Sequence, residues 1–136
     1  MSDRRQFRLP GADESHLNSL GRHWEGLVFA GRRWLIIYSF PIPVGFVQTM
    51  SDIAIEIVGG YPPAPLDMAY FSPALTMPSG RIIAQTNVIE QIDGKSWQRW
   101  SRHRTPQNPW VLGEDTLVTH LDYVTGWLTE ELLRGR

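Results

Sequence analysis

Residues 59–83 read Gly-Gly-Tyr-Pro-Pro-Ala-Pro-Leu-Asp-Met-Ala-Tyr-Phe-Ser-Pro-Ala-Leu-Thr-Met-Pro-Ser-Gly-Arg-Ile-Ile. Prolines at 62, 63, 65, 73 and 78 each lack a backbone donor and fix φ, so no helix runs through this stretch. What remains is a turn from Tyr61 to Pro65, one short strand over residues 66–71, and a second turn at Pro78-Ser79-Gly80. A proline-gated segment of this kind is usually built around a reactive residue, yet the chain contains no cysteine.

Immediately upstream, residues 52–58 alternate, with Ile53, Ile55 and Ile57 on one face and Ala54 and Glu56 on the other, which predicts a strand. Before it, residues 24–30 and 33–40 read as antiparallel strands joined at Gly31-Arg32. The nearly unbroken apolar run from Trp34 to Tyr38 predicts that the second of these is covered on both faces. Pro41 and Pro43 end it. Asp13 is expected to cap a short helix that turns Leu17 and Leu20 inward and stops at Gly21. Residues 1–10, carrying Arg4, Arg5 and Arg8, are expected to form a flexible arm ahead of a single domain over 11–136.

Downstream, residues 72–96 read mostly as connection, with room for a short ladder over 87–92 before Asp93-Gly94. Leu117, Leu121, Val124 and Leu128 then recur at helical spacing and predict a closing helix capped at Asp115, with Asp122, Thr125 and Glu130 in water. The expected fold is α+β: a short N-terminal helix, an antiparallel meander of about four strands, a long irregular segment, and a C-terminal helix, with helices screening one face of the sheet.

Composition narrows the function. A chain of 136 residues with net charge -1 fits one domain and argues against general nucleic-acid binding, whose affinity comes from neutralising phosphates. Without cysteine there is no disulfide, no thiolate metal site and no thioester on this chain's own side chains. No grouping of histidine with carboxylates has metal-ligand spacing, and no cofactor motif is present. No stretch approaches the ~18 apolar residues of a membrane span, and no apolar region follows the basic N-terminus, so a cytoplasmic protein is expected.

The order of elements resembles the ubiquitin-conjugating enzyme (E2, or UBC) superfamily, and the likeness becomes specific across the opening segment. Tyr61-Pro62 is similar to the family's Tyr-Pro turn, and Ser72-Pro73-Ala74-Leu75 falls where its His-Pro-Asn motif stands. Pro78-Ser79-Gly80 resembles the following turn, Ile83 occupies the cysteine position, and Trp110 and the helix from about Asp115 match the tryptophan and helix beyond it. Leu35 to Phe46, Gly60 to Pro73 and Trp97 to Arg104 look like the prokaryotic branch grouped as E2 family E. That resemblance implies a ubiquitin-like protein, an E1-like activating enzyme and a JAB-type isopeptidase as partners.

Two departures bear on chemistry. Ile83 has no nucleophilic atom, and Ala74 lacks the amide that the family's asparagine offers to a developing oxyanion. The resemblance therefore implies a silent centre at Ser72, Pro73, Ala74 and Ile83, and a non-catalytic adaptor. An oxyester on Ser72, Ser79, Ser101 or Thr105, with His103 as base, is the enzyme alternative. An interaction module unrelated to ubiquitin-like proteins is the third reading. A longer stretch than a compact family member has separates Ile83 from Trp110, and it holds Trp97, Arg99, Trp100, Arg102, His103 and Arg104. With Trp110, these residues are the candidate binding surface, because planar rings and bidentate guanidinium donors dominate interface hot spots. The competing reading makes Trp97 and Trp100 core anchors, with the arginines lying alongside.

Overall fold

The chain folds around a strand that is buried on both sides. The computed structural model describes residues 3–134, so the first two residues of the expected arm and the last two of the expected domain lie outside it. Its elements are α1 (Gly11–Ser19), β1 (Trp24–Phe29), β2 (Arg32–Pro41), β3 (Met50–Glu56), β4 (Ala69–Ser72), β5 (Val88–Ile92), β6 (Lys95–Trp100) and α2 (Leu117–Arg134). All strand pairs are antiparallel, in the order β1-β2-β3-β4-β6-β5. The sheet thus has six strands where about four were expected. The difference is the β5–β6 hairpin: β5 coincides with the short ladder expected over 87–92, while β6, which runs beyond the segment read as connection, adds to the free edge of β4.

Both tight hairpins have the same cause. Ala30 and Gly31 sit at φ 53° and 76°, and Asp93 and Gly94 at φ 53° and 76°, the paired left-handed residues of a turn whose twist suits two antiparallel strands. The first turn is therefore Ala30-Gly31, one residue earlier than Gly31-Arg32.

Along β2, Leu35 and Ile37 face the helices while Trp34 and Ile36 face away, and all four are at most 1% exposed. On the helix side, Ile53, Ile55, Ile57, Phe71 and Trp100 join Leu17 of α1 and Leu117, Leu121, Val124 and Leu128 of α2. This is the apolar stripe expected of the closing helix. On the other side, all six strands contribute to a second core of Leu27, Trp34, Ile36, Ala54, Tyr70, Ile92 and Trp97. With no helix on that side, the sheet curls and covers itself.

Ion pairs fasten the curl. Arg32 of β2 bonds Glu56 on β3 and reaches across the second core to Glu90 on β5. Arg4 bonds both carboxylate oxygens of Glu25 on β1 (2.9 and 2.8 Å) and both of Asp93 beyond β5 (3.1 and 2.8 Å), joining the two edges of the sheet. Glu25 is buried and also accepts from the Tyr38 hydroxyl at 2.6 Å; Arg4 holds its carboxyl down at about 2, and burial beside Glu25 pushes Tyr38 up to about 12. The described part of the arm is consequently a strand guard. Gly26 N donates to Arg4 O and Gln6 N to Gly26 O, while the Gln6 side chain accepts from Val28 N. Arg4 and Gln6 thereby satisfy the outer edge of β1.

The helix ends also differ in detail from expectation. Asp13 lies inside α1, whose N-cap is Pro10, and Asp13 is buried, turned toward the core. Thr116, rather than Asp115, caps α2: its hydroxyl accepts from Val118 N, and Thr119 returns a hydroxyl to Thr116 N, a reciprocal capping pair. Asp115 instead braces Val111 N and the Thr119 hydroxyl. Between the helices, the Tyr61 hydroxyl donates to Asp13 Oδ2 and accepts from Leu117 N, each at 2.6 Å. Burial pushes the Asp13 carboxyl up, and Tyr61 is pushed up as well, by burial and then by Asp13.

Replacing Tyr61 with Phe removes the donor for a buried carboxyl and the acceptor for a helix N-terminal amide together. We expect Tyr61→Phe to cost about 2–3 kcal/mol in urea unfolding at neutral pH. A loss below about 0.5 kcal/mol would show that water replaces the hydroxyl.

Candidate functional site

The segment after β4 is rigidly held, and one buried amide does most of the holding. Gln98 of β6 accepts through Oε1 from Leu75 N (2.9 Å) and Trp100 Nε1 (2.9 Å), and donates through Nε2 to Leu75 O (3.1 Å). Ser51 Oγ donates to Pro73 O at 2.8 Å, and the Gln48 side chain pairs with Thr76 through N and Oγ1. Gly80 N closes the Pro78-Ser79-Gly80 turn onto Met77 O.

Ile83, at the position of the family's nucleophile, is 5% exposed and belongs to the helix-side core. Its carbonyl accepts from Thr86 Oγ1 at 2.7 Å. A cavity of about 270 Å³ adjoins it, lined by Leu75, Met77, Arg81, Ile83, Thr86 and Gln98 among others. At its border the carboxylate of Glu131, 3% exposed, accepts from Arg81 at 2.6 Å and Arg102 at 3.5 Å. Burial lowers the Arg102 guanidinium from its ordinary range, against the pull of Glu131. This pocket can hold an apolar side chain. It offers no thiol, its hydroxyls on Thr76 and Thr86 are bonded to Gln48 Nε2 and Ile83 O, and Ala74 offers no side-chain donor.

The residues from Trp97 to Arg104 are dispersed. Trp97 is 1% exposed in the second core and Trp100 is fully buried in the first, on opposite faces of β6. The contact plane expected of these two rings is therefore not at the surface, because strand alternation sends each into a core. Arg99 Nε donates to Ser101 Oγ, Arg102 stacks 4.8 Å over the Trp100 ring and donates to Ala84 O, and Arg104 lies between the Trp110 and Tyr123 rings at 5.3 and 4.3 Å. Trp110 Nε1 donates to Pro62 O at 3.2 Å, tying the two loops at the start of α2. Beside it, Pro62, Pro63, Leu112 and Gly113 line an apolar notch of about 240 Å³, with Leu112 71% exposed.

The histidines divide likewise. His103 is exposed, and its Nδ1 lies 2.8 Å from Asp67 Oδ2. Among the described residues, none of the candidate hydroxyls bonds to it: Ser79 Oγ accepts from Arg81 N, Ser101 Oγ from Arg99 Nε, and Thr105 Oγ1 from Asn108 N. His120, 1% exposed, faces Met68 O through Nε2 at 2.9 Å, so that nitrogen carries the proton; Nδ1 has no partner, and burial holds the ring's pKa below its ordinary value. No group of three potential metal ligands occurs among the described residues. Among the described residues, no helix is long and apolar enough to cross a membrane.

Sequence reasoning missed Gln98, Arg81 and Glu131 around the pocket. The signal available was Asp93-Gly94 between alternating residues, which marks a hairpin and puts Gln98 on the same face as Trp100. Nothing in the sequence joins Arg81 to Glu131.

A meander closed by helices, a Tyr-Pro turn under the last helix, and the lack of any cysteine fit a protein of E2/UBC type without its nucleophile. The chain belongs to prokaryotic E2 family E, whose model matches residues 9–131. No curated protein and no solved structure matches it. Membership implies a role in an E2-like conjugation system, and the absence of cysteine excludes thioester transfer on this chain's own side chains.

Two outcomes follow from burial. Ile83→Cys is expected to cost about 1–2 kcal/mol, and its thiol to react with a disulfide reagent at least about tenfold more slowly in the folded chain than after unfolding. For His120 the folded pKa lies below the unfolded one, so its contribution is fully present above the unfolded value and is lost as pH falls below about 6.5. Urea midpoints between about pH 7.5 and 5 should fall less steeply in His120→Phe than in the native chain.

Proposed function

We propose that this protein is a non-catalytic adaptor of a ubiquitin-like conjugation system, binding an E1-like enzyme, a ubiquitin-like protein, or both. The observation that supports the reading most is the environment of Ile83: the nucleophile's position is filled by a side chain packed into the core, beneath a segment that Gln98 still fixes in place. Retaining the scaffold's shape while lacking its reactive atom favours a role in which contacts, not bond making, carry the effect. The accessible contact groups are His103, Arg99 and Trp110, with the apolar notch around Leu112 lying beside Trp110. A JAB-type isopeptidase of the same system is a further partner. Against the oxyester alternative stands the pairing of His103 with Asp67 and of Ser79, Ser101 and Thr105 with other groups.

Mixing the protein with its system's E1-like enzyme, ubiquitin-like protein and ATP tests this directly. Stable binding with no covalent adduct on this chain by intact mass is the expected result. An adduct removed by hydroxylamine would establish the ester reading instead, and failure to bind either partner would favour an interaction module with a different target.

A further inference from the structure

Lysine and arginine together number thirteen, and twelve of them are arginine. The single lysine is Lys95, in the turn-proximal position of β6. Its Nζ lies 2.8 Å from Asp52 Oδ2 and 4.8 Å from the centre of the Trp97 ring. Asp52 is itself fixed, because its other carboxylate oxygen accepts from Ser39 N and its backbone pairs with Ser72. The one side-chain amine is thus placed at the end of the sheet from which the silent segment departs. The cations that span the fold, Arg4, Arg32, Arg81, Arg102 and Arg104, are all guanidinium groups.

The two cation types differ in one reaction. An activated acyl group, such as a C-terminal glycyl thioester on a carrier, is attacked by an amine lone pair. The new C–N bond replaces the C–S bond; of the ammonium's three protons, one stays on the amide, one leaves with the thiol and one passes to solvent. A guanidinium stays protonated and delocalised and does not compete in this reaction at neutral pH. An ammonium held on a carboxylate and over an indole must give up both contacts before its lone pair is free.

We propose that the charged surface of this chain is built to be inert to acylation. Arginine supplies the cationic contacts, and Asp52 with Trp97 holds back the one side-chain amine, so that an activated acyl group brought alongside by a partner finds no unrestrained side-chain amine here. The purpose rests on the adaptor reading, but the chemistry is testable without any partner.

The probe is a short glycyl peptide thioester at neutral pH, with acylation mapped by mass spectrometry. Arg22 makes no ion pair among the described residues, so Arg22→Lys places an unclamped amine on the same molecule as an internal standard. Lys95 should acylate about fivefold more slowly than Lys at position 22, and adding Asp52→Asn, which keeps the acceptor for Ser39, should bring the two within about twofold. Equal rates at the two positions in the Arg22→Lys chain would overturn the proposal and leave the arginine excess a matter of composition alone; so would an Asp52→Asn change that leaves the ratio untouched. In the full mixture with E1-like enzyme, ubiquitin-like protein and ATP, a conjugate on Lys95 would overturn it too, even where binding occurs. Lack of binding with the Lys95 ratio preserved would instead sink the adaptor reading alone.

Discussion

A strand whose consecutive side chains are all buried needs cover above and below, and Trp34 to Ile37 impose that demand on everything else. Helices α1 and α2 meet it on one side. On the other side no helix is available, so the sheet must bend until its own far strands close the gap, and the β5–β6 hairpin supplies the closing surface with Ile92 and Trp97. The added length between the silent centre and α2 is therefore accounted for by packing. Each fully covered aliphatic or aromatic side chain in such a core contributes about 1.5–3 kcal/mol relative to exposure.

That demand explains which parts of the chain could be read in advance. The run from Trp34 to Tyr38, the alternation of Ile53, Ile55 and Ile57, and the spacing of Leu117, Leu121, Val124 and Leu128 are local patterns with one physical meaning, and the structure has them as strand, strand and helix face. Trp97 to Arg104 was ambiguous because tryptophans and arginines close together satisfy two descriptions at once: a rich contact surface, or a strand with one ring in each of two cores. Only the partner strand decides between them. Asp13 was read as a cap by residue type, but the distant Tyr61 hydroxyl draws it into the core instead. The absence of a thiolate was legible because a missing atom needs no geometry; Gln98, Arg81 and Glu131 were not legible, since their meeting depends on contacts spanning 23 to 50 residues of chain.

Around Ile83 the chain is anchored at several points. The Ser72–Leu75 segment is held by the β6 glutamine, and the turn at Pro78 leads on to residue 83. Ile83 is dry, where a thiolate would need water and a polar neighbourhood, so its burial stabilises the fold. The Arg81–Glu131–Arg102 group then fastens this loop to α2.

The Arg4 clasp bears on where this folding unit begins. The family's recognisable span starts at residue 9, but the guanidinium that ties Glu25 to Asp93, and the amide that completes the outer edge of β1, both lie before it. A chain that began at residue 9 would keep both helices, yet it would strand a buried carboxylate and leave β1 with bare hydrogen-bonding groups, the arrangement that invites strand exchange between copies. The segment that sequence comparison discards is what keeps the sheet from pairing with its neighbours.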